Sequence, residues 1–165
     1  MTERTAMPSP KGYTRLQIAL HWLIAVLIVA AWFTHEVMED AFETRLETGV
    51  LSPNPHAILG LSVFVLVLIR IVVRHRQGAP GPVPGSSPLA EAAALWGHRL
   101  LYLLMLLTPL GGAITWFGGI EALGEGHELL GNALMIVALG HALVAIAHQV
   151  LLKDGTMTRM IRPRG

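Results

Sequence analysis

The 165-residue chain is 53% hydrophobic and only 14% charged, and its mean hydropathy is positive. A soluble domain of this size leaves much of its surface in water, so that many apolar side chains call for a bilayer instead. The net charge of +1 singles out no partner, and the lack of cysteine excludes disulfides, iron–sulfur clusters, thiolate ligands and the attachment of c-type haem. Nucleic acid is not an expected partner, because no basic domain with interleaved aromatics stands outside the apolar runs.

In chain order, an N-terminal tail (1–12) precedes a domain spanning 13–153 and a second tail (154–165). The first span is expected at about 16–33, where no Lys, Arg, Asp or Glu occurs. It lacks a small-residue cleavage site followed by a soluble domain and is read as a retained helix rather than a signal peptide. Ser52-Pro53-Asn54-Pro55 breaks the chain before a second span at about 55–73, with Arg70 placed to snorkel at its inner end. The Pro- and Gly-rich stretch from Gln77 to Pro88 is a linker. A third span (about 92–118) and a fourth (about 128–152) follow, the last ending at Lys153-Asp154-Gly155. Each run is at or near the ~20 residues that cross the hydrocarbon, and a lone chain satisfies its backbone there as helix.

The fold class is therefore all-α: a bundle of four transmembrane helices. Orientation follows from charge. With the N-terminus inside, Arg4, Lys11, Arg15, Arg70, Arg74, Arg76, Arg99, Lys153, Arg159, Arg162 and Arg164 lie on the cytoplasmic side, and only Arg45 lies outside. The outer face collects Glu36, Glu39, Asp40, Glu43, Glu47, Glu121, Glu125 and Glu128. Both termini are expected to be cytoplasmic.

Histidine carries the chemistry. Eight occur in a chain poor in other polar residues, and a histidine inside a span is costly unless it has work or a hydrogen-bond partner. His127 and His141 stand 14 residues apart, which on one helix puts them within about 40° of each other and about 21 Å apart. Two haems at different depths need that arrangement. His141 and His148 are only about 10 Å apart, and His127 and His148 about 31 Å, nearly the whole membrane. Depth matching then pairs His21 with His141 on the cytoplasmic side and His56 with His127 on the periplasmic side. His56-Ala-Ile-Leu-Gly60 and His127-Glu-Leu-Leu-Gly131 echo one another, each setting a glycine one turn inward where a flat macrocycle can approach. Zinc fits poorly, because it wants its ligands clustered. Two axial imidazoles leave an iron no open position, so the expected work is electron transfer.

His35 and His75 read as solvated surface residues. His98 and His148, with Arg15, are candidates for a cytoplasmic quinone site, where a histidine can hydrogen-bond a carbonyl and deliver the proton that follows each electron. Trp22, Trp96 and Trp116 suit an aromatic belt at the membrane interfaces.

The segment from Tyr13 to Trp22, Tyr-Thr-Arg-Leu-Gln-Ile-Ala-Leu-His-Trp, resembles the opening of the bacterial cytochrome b-561 family, which includes membrane superoxide oxidases. Lys153-Asp154-Gly155-Thr156-Met157-Thr158-Arg159-Met160 is similar to that family's close, and Gly97-His98 and the three histidines of the last span match in kind. The resemblance implies four helices, two non-covalent b haems and electron delivery to ubiquinone. By position it places the haem iron ligands on His21, His56, His127 and His141. It also implies a small periplasmic donor, superoxide or a redox protein. A haem-bearing anchor for a larger periplasmic dehydrogenase or hydrogenase is the alternative, and a haem-free transporter or channel is a third. The acidic outer face departs from the basic one such superoxide oxidases present.

Overall fold

The computed structural model describes residues 12–164 and is helical, with no strand among them. Arg4 and Lys11 of the expected inner-face charges lie outside the described residues. Four helices are long and apolar enough to span a membrane. The first, α1 (Arg15–Phe33), starts with a capping box: the Gln17 N–H donates to the Thr14 hydroxyl at 3.2 Å, and the Thr14 N–H donates to the Gln17 side chain at 3.0 Å. The same two residues reach the end of the next span, Thr14 Oγ1 donating to Gln77 at 2.7 Å and Gln17 Nε2 to the Gly78 carbonyl at 2.8 Å.

α2 (His35–Thr48) lies in the outer stretch whose charged residues are five acids and one arginine. It buries no residue, and it ends at Gly49 in the left-handed conformation (φ 71°). No Gly or Pro interrupts its 14 residues, which is why a helix forms without an apolar run to announce it. His35 is thus helical rather than in a loop, though exposed as expected.

α3 (Pro55–Gln77) is capped by buried Asn54, whose side chain accepts the His56 and Ala57 N–H groups, with Pro55 in the first turn. α4 (Pro88–Gly118) starts at Ser87 and Pro88, a turn before the expected span, and α5 (Gly124–Ala147) follows a single 3₁₀ turn at Glu121–Leu123. A π-helical turn at His148–Leu152 and a 3₁₀ turn at Met157–Met160 close the chain.

α1 packs on α3, α3 on α4 and α4 on α5. Among the spanning helices α5 packs closely only on α4. The tightest core, Ile24, Val63 and Val67, joins α1 to α3 and is covered by Leu27, Leu66, Tyr102 and Met105. Elsewhere apolar side chains point outward, Ile136 being 71% exposed, as lipid-facing residues should. Arg70 does not snorkel freely: Nη1 donates to the Gln17 carbonyl at 2.9 Å and Nε to the Tyr102 hydroxyl at 3.1 Å, tying α1, α3 and α4 together.

Candidate cofactor site: two clusters of histidines

The helices bring the histidines together at two depths. In the outer cluster, His56 in the first turn of α3 faces His127 in the first turn of α5, with ring centroids 5.9 Å apart and planes at 81°. Each ring is held from behind. His56 Nδ1 lies 2.9 Å from the Ala31 carbonyl and His127 Nδ1 lies 2.9 Å from the Thr108 carbonyl. A carbonyl only accepts, so both Nδ1 atoms carry the hydrogen and both Nε2 atoms keep a lone pair. Metal-binding histidines are commonly oriented in this way. Gly112 makes the fit around His127 possible, since a Cβ there would come within 2.7 Å of the ring. The sequence echo had pointed to other glycines. A Cβ at Gly60 would meet no protein atom within 4 Å, and one at Gly131 would make an ordinary contact with Thr108 at 3.9 Å.

The inner cluster has three members. His21 on α1 and His141 on α5 have centroids 6.3 Å apart, and His98 on α4 lies 5.2 Å from His141. His98 Nδ1 is 2.5 Å from the Ala94 carbonyl of its own helix, whereas no hydrogen bond to protein holds either His21 or His141 among the described residues. Trp22 packs edge-on against His21 at 5.3 Å and donates to the Met160 carbonyl at 2.9 Å, so it anchors the C-terminal segment as well as facing the interface.

His148 lies apart from both clusters. Its Nδ1 is 2.5 Å from Asp154 Oδ2, and the other carboxylate oxygen accepts the Thr156 hydroxyl at 2.7 Å and the Thr156 N–H at 2.9 Å. The Thr156 hydroxyl, then His148, then the Thr156 N–H hold the Asp154 carboxyl down at about 2. Arg15 is exposed at the start of α1, and His75 is exposed on α3.

Arg45, the lone outer cation, is not extended into solvent. Its Nη2 donates to the Phe117 carbonyl at 3.0 Å and its guanidinium lies 5.7 Å from the ring of Trp116, which is 2% exposed. Trp116 is therefore packed against Phe42 and Arg45 rather than standing in an interfacial belt.

The arrangement can hold a metal between imidazoles. Bonds of about 2 Å from a metal to two opposed imidazole nitrogens put their centroids roughly 6 Å apart, which His56–His127 at 5.9 Å and His21–His141 at 6.3 Å match. Such a bundle defines a multi-pass membrane protein with opposed histidines between helices at two depths. Residues 12–163 match the profile of the family described as Prokaryotic cytochrome b561, and the chain belongs to that family. It is 44% identical to the cytochrome b562 of Cereibacter sphaeroides, over 96% of this chain and all of the relative. It is also 31% identical to a protein of Yersinia pestis described as "Probable superoxide oxidase CybB" (92% of this chain, 96% of the relative). Identity to the cytochrome b561 homolog 2 of Escherichia coli is 25%, over 93% of each chain. The protein is thus a haem b electron-transfer protein of the bacterial inner membrane.

Proposed function

We propose that this protein holds two b haems, one between His56 and His127 and one between His21 and His141, and passes electrons from a periplasmic donor to ubiquinone at the cytoplasmic leaflet. The observation that carries the reading is the match of both centroid separations to an intervening iron. When bound, each haem would supply a one-electron carrier. The protein's own contribution is to fix ring orientation. The Ala31 and Thr108 carbonyls aim the Nε2 lone pairs of His56 and His127 toward each other's side of the cleft.

Quinone reduction takes two electrons and two protons. His148 is the residue we assign to the proton side. Its Nδ1–H is directed at an ionised Asp154, which leaves Nε2, when it too carries a proton, to donate that proton to a quinone oxygen. His98, which sits against His141, is placed to orient the inner ring or to substitute for His21. Arg15, being exposed, would contribute charge at the mouth of that site.

Two donors fit. The Yersinia relative's description favours superoxide, two of which would yield two dioxygen molecules and the two electrons the quinone needs. The acidic outer face and the engagement of Arg45 with α4 favour a basic periplasmic redox protein, or the catalytic subunit of a dehydrogenase for which this chain is the anchor. Stopped-flow haem reduction by superoxide at low and high ionic strength separates them. A slow rate that rises with salt marks an acidic barrier, because screening weakens like-charge repulsion. A fast rate that falls with salt marks a positive entrance. No reduction at either ionic strength removes superoxide as donor. The assignment of ligands is tested by replacing His56 and His141 singly, each expected to remove one haem and leave the other.

A further inference from the structure

Arg45 presents an unpaired charge in an unexpected place. Two of its three guanidinium nitrogens, Nε and Nη1, are out of contact with solvent and have no hydrogen-bond partner. Five acids lie on the same helix, yet no carboxylate pairs with it among the described residues. Helix geometry explains this in part: Glu43 and Glu47 are two positions away and point to other faces, whereas Phe42, three positions away, shares the face of Arg45 and packs on the same Trp116 at 6.2 Å. The guanidinium is accommodated by Gly119, where a Cβ would meet Nη1 at 3.0 Å and where φ is +66°. A charge and its donors are buried at a net cost unless an anion accepts from them.

The position fits a resident anion. Phe117, whose carbonyl holds Arg45, is five residues along α4 from Gly112, the glycine that accommodates the His127 ring, or about 7.5 Å along the helix axis toward the outer face. Haem b carries two carboxylates on flexible propionate arms. We propose that Arg45 is the carboxylate clamp of the outer site: its free Nε–H and Nη1–H groups take a haem propionate while Nη2 stays on Phe117. This rests on the reading that His56 and His127 hold a haem. A transient anion such as superoxide would leave the guanidinium unpaired most of the time, whereas a propionate neutralises it for as long as the haem is bound. Arg45 is then a cofactor-binding residue, and its charge is spent before a substrate arrives.

The test uses the loaded protein with excess apomyoglobin as a haem scavenger, following release of each haem optically. Arg45→Gln is expected to speed release of one haem by roughly tenfold or more, as expected when a charge-assisted hydrogen bond is lost, and to leave the other unchanged. Arg45→Lys should restore much of the retention. In protein loaded with haem dimethyl ester, whose propionates are capped, wild type and Arg45→Gln should release at the same rate. Equal release of native haem by wild type and Arg45→Gln overturns the proposal. A faster release that persists with the ester also overturns it, since Arg45 would then act only by pinning α2 to α4. Failure of the underlying reading looks different: in that case His56→Ala would leave both haems in place.

Discussion

The outer and inner histidine clusters do the same geometric job with different means. The outer rings, His56 and His127, are each fixed by a carbonyl from a third helix segment, at 2.9 Å in both cases. The inner rings, His21 and His141, have no such backing among the described residues, and a third histidine, His98, crowds His141 at 5.2 Å. The outer site is therefore specified by the scaffold: tautomer, ring direction and even the missing Cβ of Gly112 are set before any metal arrives. The inner site is specified by three neighbouring rings, of which His21 and His141, without such backing, are freer to turn. Rigidity sits in the outer cluster, and adjustability in the inner one, the side on which the proposed function places the quinone.

The largest expected effect is loss of a whole chromophore. His127→Ala should abolish the outer haem absorbance, and His141→Ala the inner one, measured by haem quantitation and low-temperature spectra. A variant that retains both haems breaks the pairing. Next comes a steric test of the rigid site. Gly112→Ala should push the His127 ring and cost about 1–3 kcal/mol in overpacking, seen as a lower thermal midpoint and a lower outer-haem content. Gly60→Ala, which meets no neighbour within 4 Å in the protein, should cost much less. Equal effects would mean that Gly112 is not special to this ring.

A subtler outcome should distinguish His21 from His98. His21→Ala is expected to empty the inner site, whereas His98→Ala should keep the haem and change only its spectrum or potential. The reverse result would make His98 the ligand, since the adjustable cluster admits either. The smallest effect concerns protons. His148→Phe should slow quinone reduction severalfold with haem content unchanged. Asp154 has its carboxyl lowered from 3.8 to about 2, so its stabilising contacts are fully present above about pH 4 and disappear only as pH falls toward 2. Asp154 therefore stays ionised between pH 5 and 8, and acid titration of thermal stability should show its contribution fading only below about pH 4, a fall that Asp154→Asn should remove; an unchanged acid profile in that variant would contradict the lowered carboxyl.

Much of this was legible in the sequence. Charge-free runs gave the four spans because a bilayer tolerates little else, and a helical repeat applied to His127 and His141 gave two depths on one face. The structure brings His56 to His127 and His21 to His141. What stayed hidden needs information from across the fold. α2 carries no apolar stripe, so hydropathy passes over it. His98 was set beside His148 as a quinone candidate, and its contact with His141 comes from helix packing that spacing along one chain segment does not show. Gly112 matters only through a ring 15 residues away in sequence. The bond from His148 to Asp154 depends on the π turn and on Lys153 at φ 53°, which fold residue 154 back over residue 148. That is a left-handed conformation rare for a residue with a side chain.

α5 packs closely on α4 alone among the spanning helices, while its two paired histidines face α1 and α3. Lipid tails are as apolar as leucine, so nothing in the hydrocarbon drives α5 toward the far helices by itself. If the proposed ligand pairs hold haem, the cofactor becomes a piece of the architecture, a mortar that joins the last-made helix to α1 and α3, and maturation would be coupled to the supply of haem. Cells starved of haem should accumulate a chain whose fourth span is loosely seated. Protease cleavage at Lys153 or Arg159 should mark it, and cleavage should slow as haem is restored in proportion to occupancy. Equal cleavage with and without haem would show that α4 alone is enough to seat α5.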